Sequence, residues 1–129
     1  MSRAPEGRLE RKRRAERYGR SSEFMAVLAL RLRGYRILAR RFRSSQGEID
    51  IVARRGKVLA IVEVKARLDR DAAVLALTMG QRLRIERAAQ ALIARYPQLA
   101  VCDLRFDLML VNPGRWPHLI VDAWRPGMA

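Results

Sequence analysis

Nine consecutive residues, Lys57-Val58-Leu59-Ala60-Ile61-Val62-Glu63-Val64-Lys65, constrain the fold more than any other feature of the chain. The run is rich in β-branched residues and apolar on both alternating sets of positions, which predicts a central strand covered on both faces. At 129 residues and 14.8 kDa there is enough chain for one such core and too little for two.

The other elements follow from local pattern. Residues 1–20 hold eight arginines or lysines against Glu6, Glu10 and Glu16, which reads as a basic N-terminal arm, with 21–129 as a single domain. From Glu23, the spacing of Phe24, Val27, Leu28 and Leu32 around Ala26 and Ala29 predicts a helix stopped by Gly34. Tyr35 to Phe42 reads as a strand, Ser44-Ser45-Gln46-Gly47 as a tight connection, and Glu48 to Ala53 as a strand broken at Arg55-Gly56. Lys57 to Lys65 is the third strand. Residues 66–77 are ambiguous between a loop and a short helical excursion. Thr78 is placed to cap a helix carrying Leu83, Ile85, Ala88, Ala89, Leu92, Ile93 and Tyr96, which Pro97 ends. Leu104 to Val111 and His118 to Trp124 complete the order α, β, β, β, α, β, β.

Charge narrows the function. Twenty-seven basic residues against 13 acidic give +14, and only Lys12, Lys57 and Lys65 are lysines. The excess is arginine, whose planar fork suits phosphate, so a polyanionic partner is expected, nucleic acid ahead of acidic lipid. The longest stretch without a formal charge, Ala72 to Gln81, is ten residues, short of the roughly 18 apolar residues of a spanning helix. Neither a membrane span nor a secretory signal is expected, and with Cys102 the single cysteine and His118 the single histidine, a reducing cytoplasm is the expected location. Zinc and thiolate chemistry lack their residues.

The central strand ends on Glu63 and Lys65, which share a face with Ile61 and Leu59, because side chains alternate along a strand. The preceding strand puts Glu48 and Asp50 on one face and Ile49 and Ile51 on the other. A two-residue loop at Arg55-Gly56 would set Arg54 opposite Lys57 and Asp50 opposite Ile61; a four-residue loop would set Asp50 opposite Glu63. In both cases Asp50, Glu63 and Lys65 point to the same side, provided that no bulge intervenes. Two carboxylates on neighbouring strands repel unless a proton or a cation lies between them, and Mg²⁺ is the cation best suited to carboxylate oxygens.

Asp50, twelve intervening residues, and Glu63-Val64-Lys65 have the form of the PD-(D/E)XK nuclease motif, with Ile49 in place of its proline. More narrowly, the chain resembles the YraN-like family of predicted endonucleases, related to archaeal Holliday junction resolvases. The likeness runs from about Ser22 to Trp124. It is carried by Gly34-Tyr35-Arg36-Ile37-Leu38, Gly47-Glu48-Ile49-Asp50-Ile51, Val62-Glu63-Val64-Lys65-Ala66-Arg67, Gln81-Arg82 ahead of Ala88-Ala89, and Arg105-Phe106-Asp107. The resemblance implies an α/β fold with a restriction-endonuclease-like αβββαβ core, a mixed sheet flanked by helices. It also implies a Mg²⁺- or Mn²⁺-dependent endonuclease acting on nucleic acid, with structured or branched DNA favoured over RNA. Asp50 and Glu63 would bind the ion with the carbonyl of Val64, and Glu23 would complete the shell. Lys65 would orient or activate the attacking water, and Gln81 would contact water or phosphate. Ser22 and Phe24 depart from the residues usual beside the helix carboxylate. Resolvases act as dimers, which leaves room for a homodimer.

Plainer readings stand beside these. Asp50 and Glu63 can serve a structural ion network in so arginine-rich a chain, and Glu48 can be either a partner of Asp50 or a solvated strand end. Asp107 beside Arg105 is expected to be structural, His118 to be structural or solvent-facing, and Cys102 to be a small buried residue. Trp116 and Trp124 offer stacking surfaces for bases, but packing against the sheet edge is the default. Arg40, Arg41 and Arg43 read equally as phosphate contacts or as a solvated strand end. The alternative function is a catalytically inactive basic nucleic-acid-binding module, for DNA or as an RNA or ribosome adaptor.

Overall fold

A computed structural model describes residues 21–66 and 69–127. The basic arm predicted over residues 1–20, and Arg67 of the family block, lie outside them. Helix α1 covers 21–32 of the described residues. It ends as a Schellman motif, in which Tyr35 N–H donates to the Leu30 carbonyl and Gly34 N–H to that of Arg31, with Gly34 at φ +88°. Strands β1 (Arg36–Arg43), β2 (Glu48–Arg55) and β3 (Val58–Lys65) follow as a meander. Helices α2 (Arg70–Ala76) and α3 (Met79–Arg95) and a 3₁₀ turn (Pro97–Val101) lead to β4 (Asp103–Leu110) and β5 (His118–Trp124). The ambiguous stretch after β3 thus holds a real helix, capped by the Asp69 carboxylate accepting from Ala72 N–H at 2.8 Å. Thr78 caps α3, accepting from Gln81 N–H at 3.1 Å.

The sheet runs β1-β2-β3-β4-β5, antiparallel except for β3 with β4, which pair in parallel. Parallel neighbours need a crossover, and α2 and α3 supply it. The mixed sheet between helices is the α/β architecture that the resemblance implied. On one face α1 packs Ala26, Val27, Ala29 and Leu30 against Ile51, Ala53, Ala60 and Val62. On the other, Ile85, Ala88, Ala89 and Leu92 of α3 meet Val52, Leu59, Ile61 and Leu108. β3 is buried on both sides, as its composition requires.

The apolar stripe of α1 differs from the one expected. Phe24 and Leu32 are 60% and 70% exposed, and the small Ala26 and Ala29 face the sheet instead. Val27 and Leu30 are buried with them, so the face that meets the sheet is the one carrying Ala26, Val27, Ala29 and Leu30, and Phe24 and Leu32 lie on the other.

The β2–β3 hairpin closes through Gly56-Lys57, so that Arg55 opposes Val58 and Ile51 opposes Val62. The loop has two residues, but it sits one position later than Arg55-Gly56, because Gly56 at φ +59° takes the first turn position. This register, continued by one pair, sets Asp50 opposite Glu63.

Besides register shifts between Ile37 and Ala39 of β1 and between Phe106 and Leu108 of β4, alternation fails beside Asp50. Ile49 and Ile51 were expected on the same face, yet Ile49 packs on the α3 side and Ile51 on the α1 side. In β1, Ala39 and Phe42 both pack on the α3 side although they are three residues apart. The residue between Arg40, paired with Ile51, and Phe42, paired with Ile49, is Arg41, at φ +52°. A left-handed residue in a strand turns its continuation over, and here β1 and β2 turn over together at Arg41 and Asp50.

Candidate active site

The place where the strands turn over is also where β2 and β3 part. Their ladder is continuous from Arg55↔Val58 to Ile51↔Val62. One step beyond, Val64 N–H donates to the Asp50 carboxylate at 2.8 Å. The side chain of Asp50 therefore reaches into the gap between strands rather than standing on a face. Since N–H and C=O of one strand residue point to the same edge, the Val64 carbonyl also faces β2.

Glu63 lies beside Asp50, with Lys65 Nζ 3.6 Å from its Oε1. Both side chains are largely buried, at 14% and 16% exposed. Burial, and next the charge of Asp50, push the Glu63 carboxyl up to about 8 against the pull of Lys65. Burial also raises Asp50, while the Val64 N–H and a hydrogen bond from Glu63 hold it down. Burial and mutual repulsion thus favour one proton shared between the two carboxyls.

Two cavities meet at Asp50. The one on the α1 side, about 260 Å³, is lined by Ser22, Glu23, Arg41, Glu48, Val64 and Ala66 besides Asp50. The one on the α3 side, about 280 Å³, adds Glu63, Gln81 and Arg84. Gly47 closes the second: a Cβ there would stand 2.6 Å from the Arg84 carbonyl oxygen, so the β1–β2 turn can seat on α3 only with glycine.

Of the residues singled out from sequence, Asp50, Glu63 and Lys65 come together, with the Val64 main chain against Asp50. Gln81 lines the α3-side cavity, and its side-chain Oε1 is buried without a hydrogen-bond partner. Glu23 reaches the α1-side cavity, but its Oε2 accepts from Arg41 Nε at 2.9 Å. Among the described residues no three His, Cys, Asp or Glu side chains group closely enough to hold a metal ion. What the geometry offers a hard cation is therefore a two-carboxylate site, in which the ion would take the place of the shared proton.

Glu48 pairs with Arg43 at 3.7 Å near solvent and also borders both cavities. Arg84 was missed by sequence reasoning, although one helical turn from Gln81 puts the two on one face of α3. Asp107 is structural, as expected: fully buried, it accepts from the Arg105 guanidinium at 2.8 Å and from Asp122 N–H at 2.9 Å. Arg105 in turn donates to the Tyr35 hydroxyl. Cys102 is only half-buried, at the margin of the α3-side core. Trp116 is 58% exposed rather than packed on the sheet edge, whereas Trp124 is buried, stacks on Phe106 and donates to Glu86. No helix among the described residues is long and apolar enough to cross a membrane.

Comparison with known proteins supports the narrower likeness, to the YraN-like family, and not the wider one to PD-(D/E)XK nucleases. Residues 22–111 match the model of a family described as "Uncharacterised protein family UPF0102". A UPF0102 protein of Parvibaculum lavamentivorans is 56% identical over 112 residues, 87% of this chain and 84% of that one. Another, of Paramagnetospirillum magneticum, is 50% identical over 129 residues, covering 97% of this chain and 98% of the relative. A third, of Methylorubrum extorquens, is 47% identical over 114 residues, covering 88% and 89%. The matched span holds α1, β1 to β4 and every residue around the two cavities, and the chain belongs to the UPF0102 family.

Proposed function

We propose that this protein is a metal-dependent nuclease of the PD-(D/E)XK type that hydrolyses phosphodiester bonds of nucleic acid, with structured or branched DNA favoured. The observation that carries the reading is the Asp50–Glu63 pair, held at an opened strand end with Lys65 beside it. A core strand ending in an acid pair that must share a proton is costly for a structural element and useful for one that exchanges the proton for a cation. Mg²⁺ bound there would polarise the phosphate and lower the pKa of a water.

Asp50, Glu63 and the carbonyl of Val64 would hold the ion. Lys65 would orient the attacking water and offset the negative charge that grows on the phosphoryl oxygens. Gln81, with an unsatisfied oxygen at the cavity wall, suits a bond to that water. The arginine excess supports a long polyanion as substrate. The engagement of Glu23 by Arg41 favours the second reading, a basic binding module without cleavage.

Incubation with branched, flapped and single-stranded DNA, with Mg²⁺ or Mn²⁺ and with EDTA, separates the two. The nuclease reading expects divalent-dependent products that Glu63→Ala abolishes while salt-sensitive binding persists. Equal gel shifts in EDTA and Mg²⁺ with no products would leave the binding module, and structured RNA competing far better than DNA of equal length would make it an RNA adaptor.

A further inference from the structure

Arg41 has a geometry that a solvated strand-end cation does not need. It is one of two non-glycine residues at positive φ among the described residues, and it lies across from Asp50 where both strands turn over. A left-handed conformation is unfavourable for a residue with a Cβ and persists where the surroundings demand it. The consequence of this one is to send the side chain across the α1-side cavity to Glu23.

The contact uses only part of the group. Nε donates to Glu23 Oε2, and among the described residues no other partner is seen for the two terminal amino groups. The Arg41 side chain is 49% exposed and that of Glu23 16%, so the carboxylate lies inside and the guanidinium edge faces the opening. A guanidinium presents donors on more than one edge, and planar paired donors match the oxygens of a phosphodiester. Lysine, with one point-like ammonium, could not hold a carboxylate and present such an edge at the same time.

We propose that Arg41 grips a nucleic-acid phosphate at the mouth of the α1-side cavity, its Nε fixed by Glu23 and its terminal amino groups on the phosphate oxygens. This rests on the nucleic-acid reading above but not on cleavage. It also accounts for the strained backbone, since the left-handed φ aims the guanidinium into the cavity that Asp50 lines.

The test exploits the strain. Arg41→Gly removes the side chain and relieves the backbone together, which offsets part of the cost of unpairing Glu23, and a thermal melt checks that the variant is folded at the temperature of the binding assay. Binding of a fluorescein-labelled random-sequence DNA duplex is followed by anisotropy in EDTA over a range of salt concentrations, for the wild type, Arg41→Gly and Arg125→Ala. Arg125 is a charge-matched control, paired with Asp122 at the opposite end of β3 and exposed. The expected result is a slope of log K against log salt that is smaller by about 0.9 for Arg41→Gly, one phosphate contact, and unchanged for Arg125→Ala.

A wild-type slope in Arg41→Gly overturns the inference and leaves the nuclease reading intact. An equal fall in both variants overturns it as well, because charge alone would then explain the loss. A wild-type protein that binds no duplex overturns the inference, and one that also binds no branched DNA, single strand or structured RNA overturns the nucleic-acid reading with it.

Discussion

Replacing Glu63 by Gln tests whether the acid pair is held together by a shared proton. An amide has the shape of the protonated carboxyl and can still donate to Asp50, but it cannot ionise. In the folded protein the Glu63 carboxyl titrates at about 8, against an ordinary 4.5. Between those values the native state holds a proton that the unfolded chain has lost, so stability falls as pH rises through the window. At about 1.4 kcal/mol per pH unit, the whole rise bounds the loss at about 5 kcal/mol, with the coupled titration of Asp50 reducing what is attributable to Glu63 alone.

Urea midpoints of the metal-free protein measured from pH 5 to pH 8 should therefore fall for the wild type relative to Glu63→Gln, with the variant the more stable at pH 8. The self-repulsion of a +14 chain also changes with pH, but it is common to both proteins, so the difference between them isolates the pair. Added Mg²⁺ should restore wild-type stability at pH 8 by roughly 2.7 kcal/mol when its concentration is about 100 times its dissociation constant, and should do less for the variant. Parallel pH profiles for the two proteins would refute the shared proton, and with it the argument that a cation can replace it.

Two further perturbations probe what holds the site in place. Gly47→Ala should lower the urea midpoint by the equivalent of about 1–3 kcal/mol, because its Cβ meets a main-chain oxygen of α3 that cannot turn aside; an unchanged midpoint would mean that the turn is not seated on Arg84. Asp107→Ala should cost about 3 kcal/mol or more, since it strands the largely buried Arg105 guanidinium and leaves Asp122 N–H without its acceptor. A loss below about 1 kcal/mol in equilibrium unfolding would show that water satisfies both groups.

What could be seen in the sequence was whatever depends on local pattern and parity. The burial of β3 is written in Val58 to Val64, the stops of the helices in Gly34 and Pro97, and the cap of α3 in Thr78. The co-facing of Glu63 and Lys65 needs only the two-residue period of a strand. The meeting of Asp50 with Glu63 was half visible, for parity put them on one side and the position of the turn then chose between facing each other and standing two residues apart.

Tertiary structure decided the rest, because it turns on which distant groups meet. Nothing local in Arg40-Arg41-Phe42 marks the middle residue as left-handed, and nothing in Ser21-Ser22-Glu23 indicates that an arginine from β1 will take the carboxylate. Which face of α1 meets the sheet, that of Ala26 and Leu30 rather than that of Phe24 and Leu32, was chosen by packing, since helical period offers both. Local propensity thus laid out the strands and helices, while the parting of β2 from β3, and the cavities on either side of Asp50, arose only when the strands were paired and the helices closed over them.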